Sequence, residues 1–226
     1  MFVRSEAVRQ IATGWKHEPG ILDLLKQWVE SDDDVYVRHE ALQQIATGWK
    51  HEPGILDLLQ QRLVSDESWE VRREVLRKIA TGWKHEPGIL DLLQQRLVSD
   101  ESLQVRVEAL QQIATGWKHE PGILDLLQQR LVSDESSDVR REALRQIAAG
   151  WKQEPETFEL FYHTALNDPF QYEDEYETNP RQIALEIIVK QYPDHPQTLP
   201  LLKNRAENDP DEQLQEWAKK TLQQFE

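Results

Sequence analysis

The segment GWKHEPG starts at Gly14, Gly48, Gly82 and Gly116, and a degenerate copy, GWKQEPE, starts at Gly150. The interval is 34 residues each time. A fixed period of roughly 20–50 residues is the mark of an array in which each unit is too small to bury its own apolar face and does so against its neighbours. Within a unit the spacing predicts two helices. Val37, Ala41, Leu42 and Ile45 recur at three- and four-residue intervals along one helix. Ile55, Leu56, Leu58, Leu59 and Leu63 form the apolar stripe of the next. Gly48 is expected to stop the first helix in a left-handed conformation, with Trp49 folding back onto the core. Pro53 suits the first turn of the second helix, where its missing N–H is not needed. Ser68 is placed to cap the helix that follows.

The period holds to about residue 166 and then loosens. Arg181, Ala184, Leu185 and Ile188 repeat the earlier Arg-Ala-Leu-Ile pattern, but Asp168 to Arg181 spans 13 residues where Asp66 to Arg72 spans six. An acidic, aromatic insert over residues 169–179 fills the difference, with Phe170, Tyr172 and Tyr176 among Glu173, Asp174, Glu175 and Glu177. It reads either as a partner-anchoring arm or as a surface insertion of the kind repeat arrays tolerate. A divergent last repeat and cap occupy 180–226, with helices expected at about Thr198–Ala206 and Glu212–Gln224. The expectation is a single domain over 1–226: an all-α, right-handed α-α superhelix of six helix pairs plus a capping helix. The first helix is already under way at Val3–Arg4 with no acidic turn before it. Met1 therefore reads as an initiator set on a longer natural array, or as a short native start covered by Phe2.

A tetratricopeptide unit has the same length, but its Trp, Leu-Gly, Tyr, Ala and Phe pattern is missing here. The unit instead resembles a compact HEAT repeat, with Asp32, Val37, Arg38, Ala41 and Leu42 matched at Asp66–Leu76, Asp100–Leu110 and Asp134–Leu144. The resemblance implies that Arg38, Arg72, Arg106 and Arg140 form ladders with Asp32, Asp66, Asp100 and Asp134. The GWK corner, Leu-rich helix and SDE turn together look like the HEAT-type repeats of cyanobacterial NACHT-family proteins. In that family an NTPase module lies upstream and the repeats form the sensing region of a signal-transduction protein. The implied role is a non-enzymatic interaction or sensor scaffold with an NTPase module upstream. Alternatives are a stand-alone HEAT adaptor and an accessory subunit similar to HEAT-like phycobilin lyases.

Composition narrows the chemistry. The net charge of −15 and a pI near 4.9 argue against binding a phosphate backbone. No stretch approaches the roughly 18 apolar residues of a membrane helix, no apolar leader opens the chain, and a cytoplasmic location fits. With no cysteine there is no disulfide framework, thiol catalysis or Cys-ligated zinc. His17, His51, His85 and His119 recur one per unit; units about 10 Å apart cannot share an ion whose ligands lie about 2 Å away. Nucleophile elbows and phosphate or dinucleotide loops are missing as well, so no cofactor or catalytic residue is assigned.

What remains is a protein partner, and the copies themselves suggest where it binds. IATGWKHEPGILDLLQQRLVSDES recurs unaltered from Ile45, Ile79 and Ile113. Four columns scatter against that uniformity: Val35, Trp69, Leu103, Ser137; Tyr36, Glu70, Gln104, Asp138; His39, Arg73, Val107, Arg141; and Gln43, Arg77, Gln111, Arg145. At roughly 100° per residue they share one face of about 100°. The candidate binding residues are Tyr36, His39, Trp69, Glu70, Arg73, Leu103, Gln104, Val107 and Arg141, among them types enriched in binding hot spots. Free drift of exposed positions is the alternative, yet Gln60–Gln61, Gln94–Gln95 and Gln128–Gln129 on the second helix do not vary. Trp69 borders the buried side and can also be read as half packed.

Overall fold

The computed structural model describes residues 2–171 and 177–225, the side chain of residue 2 apart. Among these residues there are thirteen α-helices and no strand. Two compact units are present, Met1–Trp117 and Lys118–Glu226. The first holds α1 (Phe2–Gly14), α2 (Ile21–Ser31), α3 (Val35–Gly48), α4 (Ile55–Ser65), α5 (Trp69–Gly82), α6 (Ile89–Ser99) and α7 (Leu103–Gly116). The second holds α8 (Ile123–Ser133), α9 (Ser137–Gly150), α10 (Thr157–Asn167), α11 (Pro180–Gln191), α12 (Thr198–Asn208) and α13 (Glu212–Leu222). The described helices are all α and alternate within each unit, at the 34-residue period up to α10, as the spacing predicts.

In the first unit the odd helices pack in series, α1 on α3, α3 on α5 and α5 on α7. Each even helix lies against the odd helix that follows it, as α2 does on α3 and α4 on α5. The apolar stripes drive this arrangement. Val37, Ala41, Leu42 and Ile45 of α3 and Ile55, Leu59 and Leu63 of α4 are all at most 2% exposed. Each large side chain buried in this way contributes about 1.5–3 kcal/mol relative to exposure. A lone hairpin leaves much of that surface wet, which is why the units stack.

The turn between hairpins carries a second set of bonds. Arg38 donates through Nε and Nη2 to the two carboxylate oxygens of Asp66, both at 3.1 Å, and through Nη1 to the carbonyl of Asp32 at 3.0 Å. Arg72 repeats this with Asp100 at 3.2 and 2.9 Å and the Asp66 carbonyl at 2.8 Å. In the second unit Arg140 grips Asp168 and the Asp134 carbonyl. The same Asp66 carboxylate accepts the Ser68 N–H at 2.9 Å, so it shapes its own turn while binding the previous unit. The bond to Asp66 holds the Arg38 proton more tightly than is ordinary for arginine. Burial is the largest influence on Arg72 and opposes its charge, but the bond to Asp100 and the surrounding carboxylates outweigh it, so its proton too is held more tightly.

Corner chemistry differs from expectation at two residues. Gly48 is the last helical residue and has no positive φ, and Trp49 follows it at φ −125°. A Cβ on Gly48 would sit 3.5 Å from Lys16 Cε, an ordinary contact, so nothing in the structure requires glycine there. The left-handed residue is Gly54, at φ 79° and ψ 0°. Pro53 precedes the helix rather than starting it, and Glu52-Pro53-Gly54-Ile55 is a type II turn closed by Ile55 N–H to Glu52 O at 3.3 Å. Where the repeat degenerates, Glu156 and Gln197 replace the glycine at φ near −88° and −89°, which converts the turn to type I. The helices then begin with Thr157 and Thr198, whose hydroxyls donate to the corner carbonyls of Trp151 and Tyr192. The corner tryptophans Trp83, Trp117 and Trp151 are buried as expected, and within each unit a lysine from the preceding corner lies 5.6–5.8 Å over the ring.

Replacing Arg72 with alanine strands Asp100 and two turn carbonyls, and urea denaturation is expected to register a loss of about 3–5 kcal/mol. Arg4→Ala removes the 60% exposed counterpart that binds Asp32, and should cost less than about 1 kcal/mol. Equal losses in the two variants would contradict the ladder. Gly88→Ala forces a side chain to φ 80° and should lower stability by about 1 kcal/mol, whereas Glu156→Ala, already right-handed, should leave the melting point unchanged.

Candidate partner-binding surface

The diversified columns lie on the odd helices, whose first three turns follow the Asp-x-(Asp/Ser) turn and are oriented by it. Within Met1–Trp117, α3, α5 and α7 bring together Tyr36 and His39, then Trp69, Glu70 and Arg73, then Leu103, Gln104 and Val107. Tyr36 is 50% exposed, and its backbone N–H donates to the capping carboxylate of Asp34. Trp69 is half-buried, and the guanidinium of the exposed Arg73 lies 5.2 Å over its ring as a cation–π pair. Leu103 and Val107 are half-buried beside them in chain order.

Three members of the predicted set have local partners. Glu70 accepts the hydroxyl of the capping residue Ser68 at 2.6 Å, and Gln104 accepts that of Ser102 at 2.8 Å. Both side chains therefore help start their helices, and their variation has a structural side that column comparison does not reveal. Arg141 belongs to the second unit. It pairs with Asp138 one turn back on α9 and reaches the carbonyl of Thr178 at 3.5 Å, where it ties down the C-terminal base of the insert.

Sequence reading missed a row of glutamates next to the stripe. Glu40, Glu74 and Glu142 are only 7%, 4% and 8% exposed. Arg9 of α1 donates to Glu40 at 3.2 Å, so this row also crosses from one hairpin to the next. Glu74 gathers His39 of α3 at 3.9 Å, Lys78 at 3.6 Å and Arg77. His39 is thus half committed to the α3–α5 junction. The signal available was the unvarying Glu at that column, which a single sequence reads as a solvated charge.

The insert is partly accounted for. Phe170 is 7% exposed, so it is a packed residue and not a free anchor. Arg181 Nη1 bonds the carbonyls of Asp168 and Phe170 at 2.8 and 3.1 Å, so the ladder closes across the insert as though it were absent. Tyr172, Glu173, Asp174, Glu175 and Tyr176 lie outside the described residues. The unvarying exposed positions of α4 and α6 include Gln61 and Gln95 with Val64 and Val98, each valine 55% exposed. Among the described residues no group of three or more metal-ligating side chains is close enough to hold an ion, and no helix is long and apolar enough to cross a membrane.

Comparison with known proteins agrees with this architecture. YibA of E. coli, known from an X-ray structure, superposes with a TM-score of 0.52 at 21% identity, over 92% of this chain and 70% of that one, a likeness of fold alone. No curated protein sequence matches the chain. The model for HEAT repeats matches residues 22–81 and 90–175, the stretch that carries the Arg–Asp turns and Trp corners described above, and the chain belongs to the HEAT-repeat family.

Proposed function

We propose that this chain is a non-enzymatic interaction scaffold that captures a protein partner on the odd-helix stripe. The observation that carries the reading is the contrast between two faces of near-identical units. The even helices α4, α6 and α8 are identical, with Gln61, Gln95, Val64 and Val98 unchanged, while Tyr36, Trp69, Arg73, Leu103 and Val107 differ from unit to unit at matched positions. Selection for a particular surface accounts for diversity on one face only; drift accounts for diversity on both. Trp69 with its stacked Arg73, and the half-exposed Tyr36, supply the rigid aromatic and guanidinium anchors that dominate binding energy in protein interfaces.

The finer reading is that the repeats are the sensing region of a larger NACHT-type signal-transduction protein of the cytoplasm, with an NTPase module upstream. Its support is the likeness of the Gly-Trp-Lys corner, the Leu-rich helix and the Ser-Asp-Glu turn to the repeats of that family. An antibody against this chain, used on lysate of the source cells, should then detect a band far above 26.6 kDa. A band at 26.6 kDa would leave a stand-alone adaptor and remove the NACHT reading.

Combined replacement of Tyr36, Trp69, Arg73 and Leu103 by alanine is expected to cut recovery of co-purifying partners by at least about tenfold, as loss of one or two hot spots does. A control with Gln61→Ala and Gln95→Ala should recover them fully. Helicity should be unchanged in both. Equal recovery by the stripe variant and the parent chain would sink the proposal.

A further inference from the structure

Among the described residues of α1, α3, α5 and α7, the cations are nearly all paired. Arg9 holds Glu6 at 3.1 Å and Glu40 at 3.2 Å, while Arg77 and Lys78 both turn to Glu74. Arg38 and Arg72 are locked in the ladder. Arg73 is different. It is exposed, and no described residue accepts any of its N–H groups. Two acids stand within one turn of it on α5, and neither takes it. Glu70 accepts the Ser68 hydroxyl at 2.6 Å, and Glu74 is held by Arg77, Lys78 and His39. The Arg73 guanidinium lies instead over the Trp69 ring, 5.2 Å from its centroid.

An aromatic ring meets part of the charge of a guanidinium but none of its five N–H donors. Stacking also fixes the plane of the fork, so less freedom is lost when an acceptor arrives. The surroundings add a further donor and apolar surface. His39 reaches Glu74, the residue next to Arg73, at 3.9 Å, which sets the register of α3 against α5. Tyr36 lies one turn before His39, so it stands roughly one helix spacing, about 10 Å, to the side of Arg73. Its hydroxyl is bonded to no described residue. On the other flank α7 packs against α5 and brings the half-buried Leu103 and Val107 to the columns of Trp69 and Arg73. The acceptor that could answer these donors, the side-chain carbonyl of Gln104, is taken by Ser102 at 2.8 Å.

We infer that the partner segment captured by this stripe is acidic: an aspartate or glutamate carboxylate meets the Arg73 fork, and an apolar side chain next to it covers Trp69, Leu103 and Val107. The inference rests on the reading of the stripe as the partner-binding face and adds the partner's chemistry to it. A carboxylate matches two parallel N–H groups of a guanidinium, and a planar fork already held on a ring favours such a pair. A phosphate group offers the same match but carries close to two charges at neutral pH. Glu70, three residues from Arg73, and the net charge of −15 oppose the second charge. A nucleic-acid strand meets that opposition along its whole length. A basic segment would bring a cation against Arg73.

A phage-displayed library of random dodecapeptides is panned on the full chain, and the selected peptides are synthesised and titrated by fluorescence anisotropy. Peptides that lose at least about tenfold in affinity when Tyr36, Trp69, Arg73 and Leu103 are all alanine bind the stripe. These should share an aspartate or glutamate beside an apolar residue. Replacing that carboxylate by its amide should cost at least about tenfold on the parent chain and less than about twofold on Arg73→Gln, where the charge has lost its partner. Panning on Arg73→Glu should select lysine or arginine in its place. Circular dichroism of both single variants should match the parent, since Arg73 is exposed and holds no other residue by a hydrogen bond. Stripe-binding peptides without an acidic position would overturn the inference and leave the partner-binding reading standing. So would an acidic position whose neutralisation costs the same with and without Arg73. Tighter binding with phosphoserine in place of the acid would overturn it as well and assign the fork to a phosphate. Recovery of no peptide that the quadruple change weakens would remove the inference and the reading together.

Discussion

The bidentate contact between an arginine at the start of one odd helix and an aspartate in the following turn is the interaction on which the arrangement depends. Arg38–Asp66, Arg72–Asp100, Arg140–Asp168 and Arg181–Asp209 are each 28 residues apart and each buried. Apolar packing supplies more free energy but is not directional, and helices packed by leucine alone can slide by a turn. A guanidinium fork that must meet two carboxylate oxygens and a backbone carbonyl together allows one register. The aspartate cannot be released cheaply, because the same oxygen that accepts Arg38 also accepts the N–H of Ser68 and shapes the next helix start. Junction and turn are therefore one structure.

This explains how the array absorbs irregularity. The insert lengthens the path from Asp168 to its arginine, yet Arg181 still bonds the Asp168 carbonyl at 2.8 Å, as Arg72 bonds that of Asp66. The ladder bond is kept despite the added residues. Loss of the corner glycine is handled as locally: Glu156 and Gln197 adopt a right-handed turn, and threonine hydroxyls hold the corner carbonyls. Each repair stays within a few residues of the change because every unit touches only its neighbours. The same independence lets one surface diversify while the scaffold beneath it stays constant.

Much of the candidate surface was legible from the columns that vary among otherwise equal copies, since helical periodicity places them on one face without any knowledge of neighbours. Tyr36, Trp69 and Arg73 are where that geometry puts them. Less legible were residues whose role is set by a group far away in sequence or by a hydroxyl one turn back. Glu70 and Gln104 read as free surface but bind Ser68 and Ser102. Glu40 and Glu74 went unread in the sequence, yet they are buried between hairpins.

The amino-acid sequence by itself determined the period, the thirteen helices, the faces they bury and the residue types at each turn, because these follow from local propensity and from spacing along one helix. Only the tertiary structure decided which aspartate each arginine holds, that Gly54 and not Gly48 is left-handed, that Phe170 is packed, and that Glu40 and Glu74 are buried between hairpins. Those outcomes depend on how much of each side chain the next helix covers, and coverage is a property of packed neighbours that no single segment encodes.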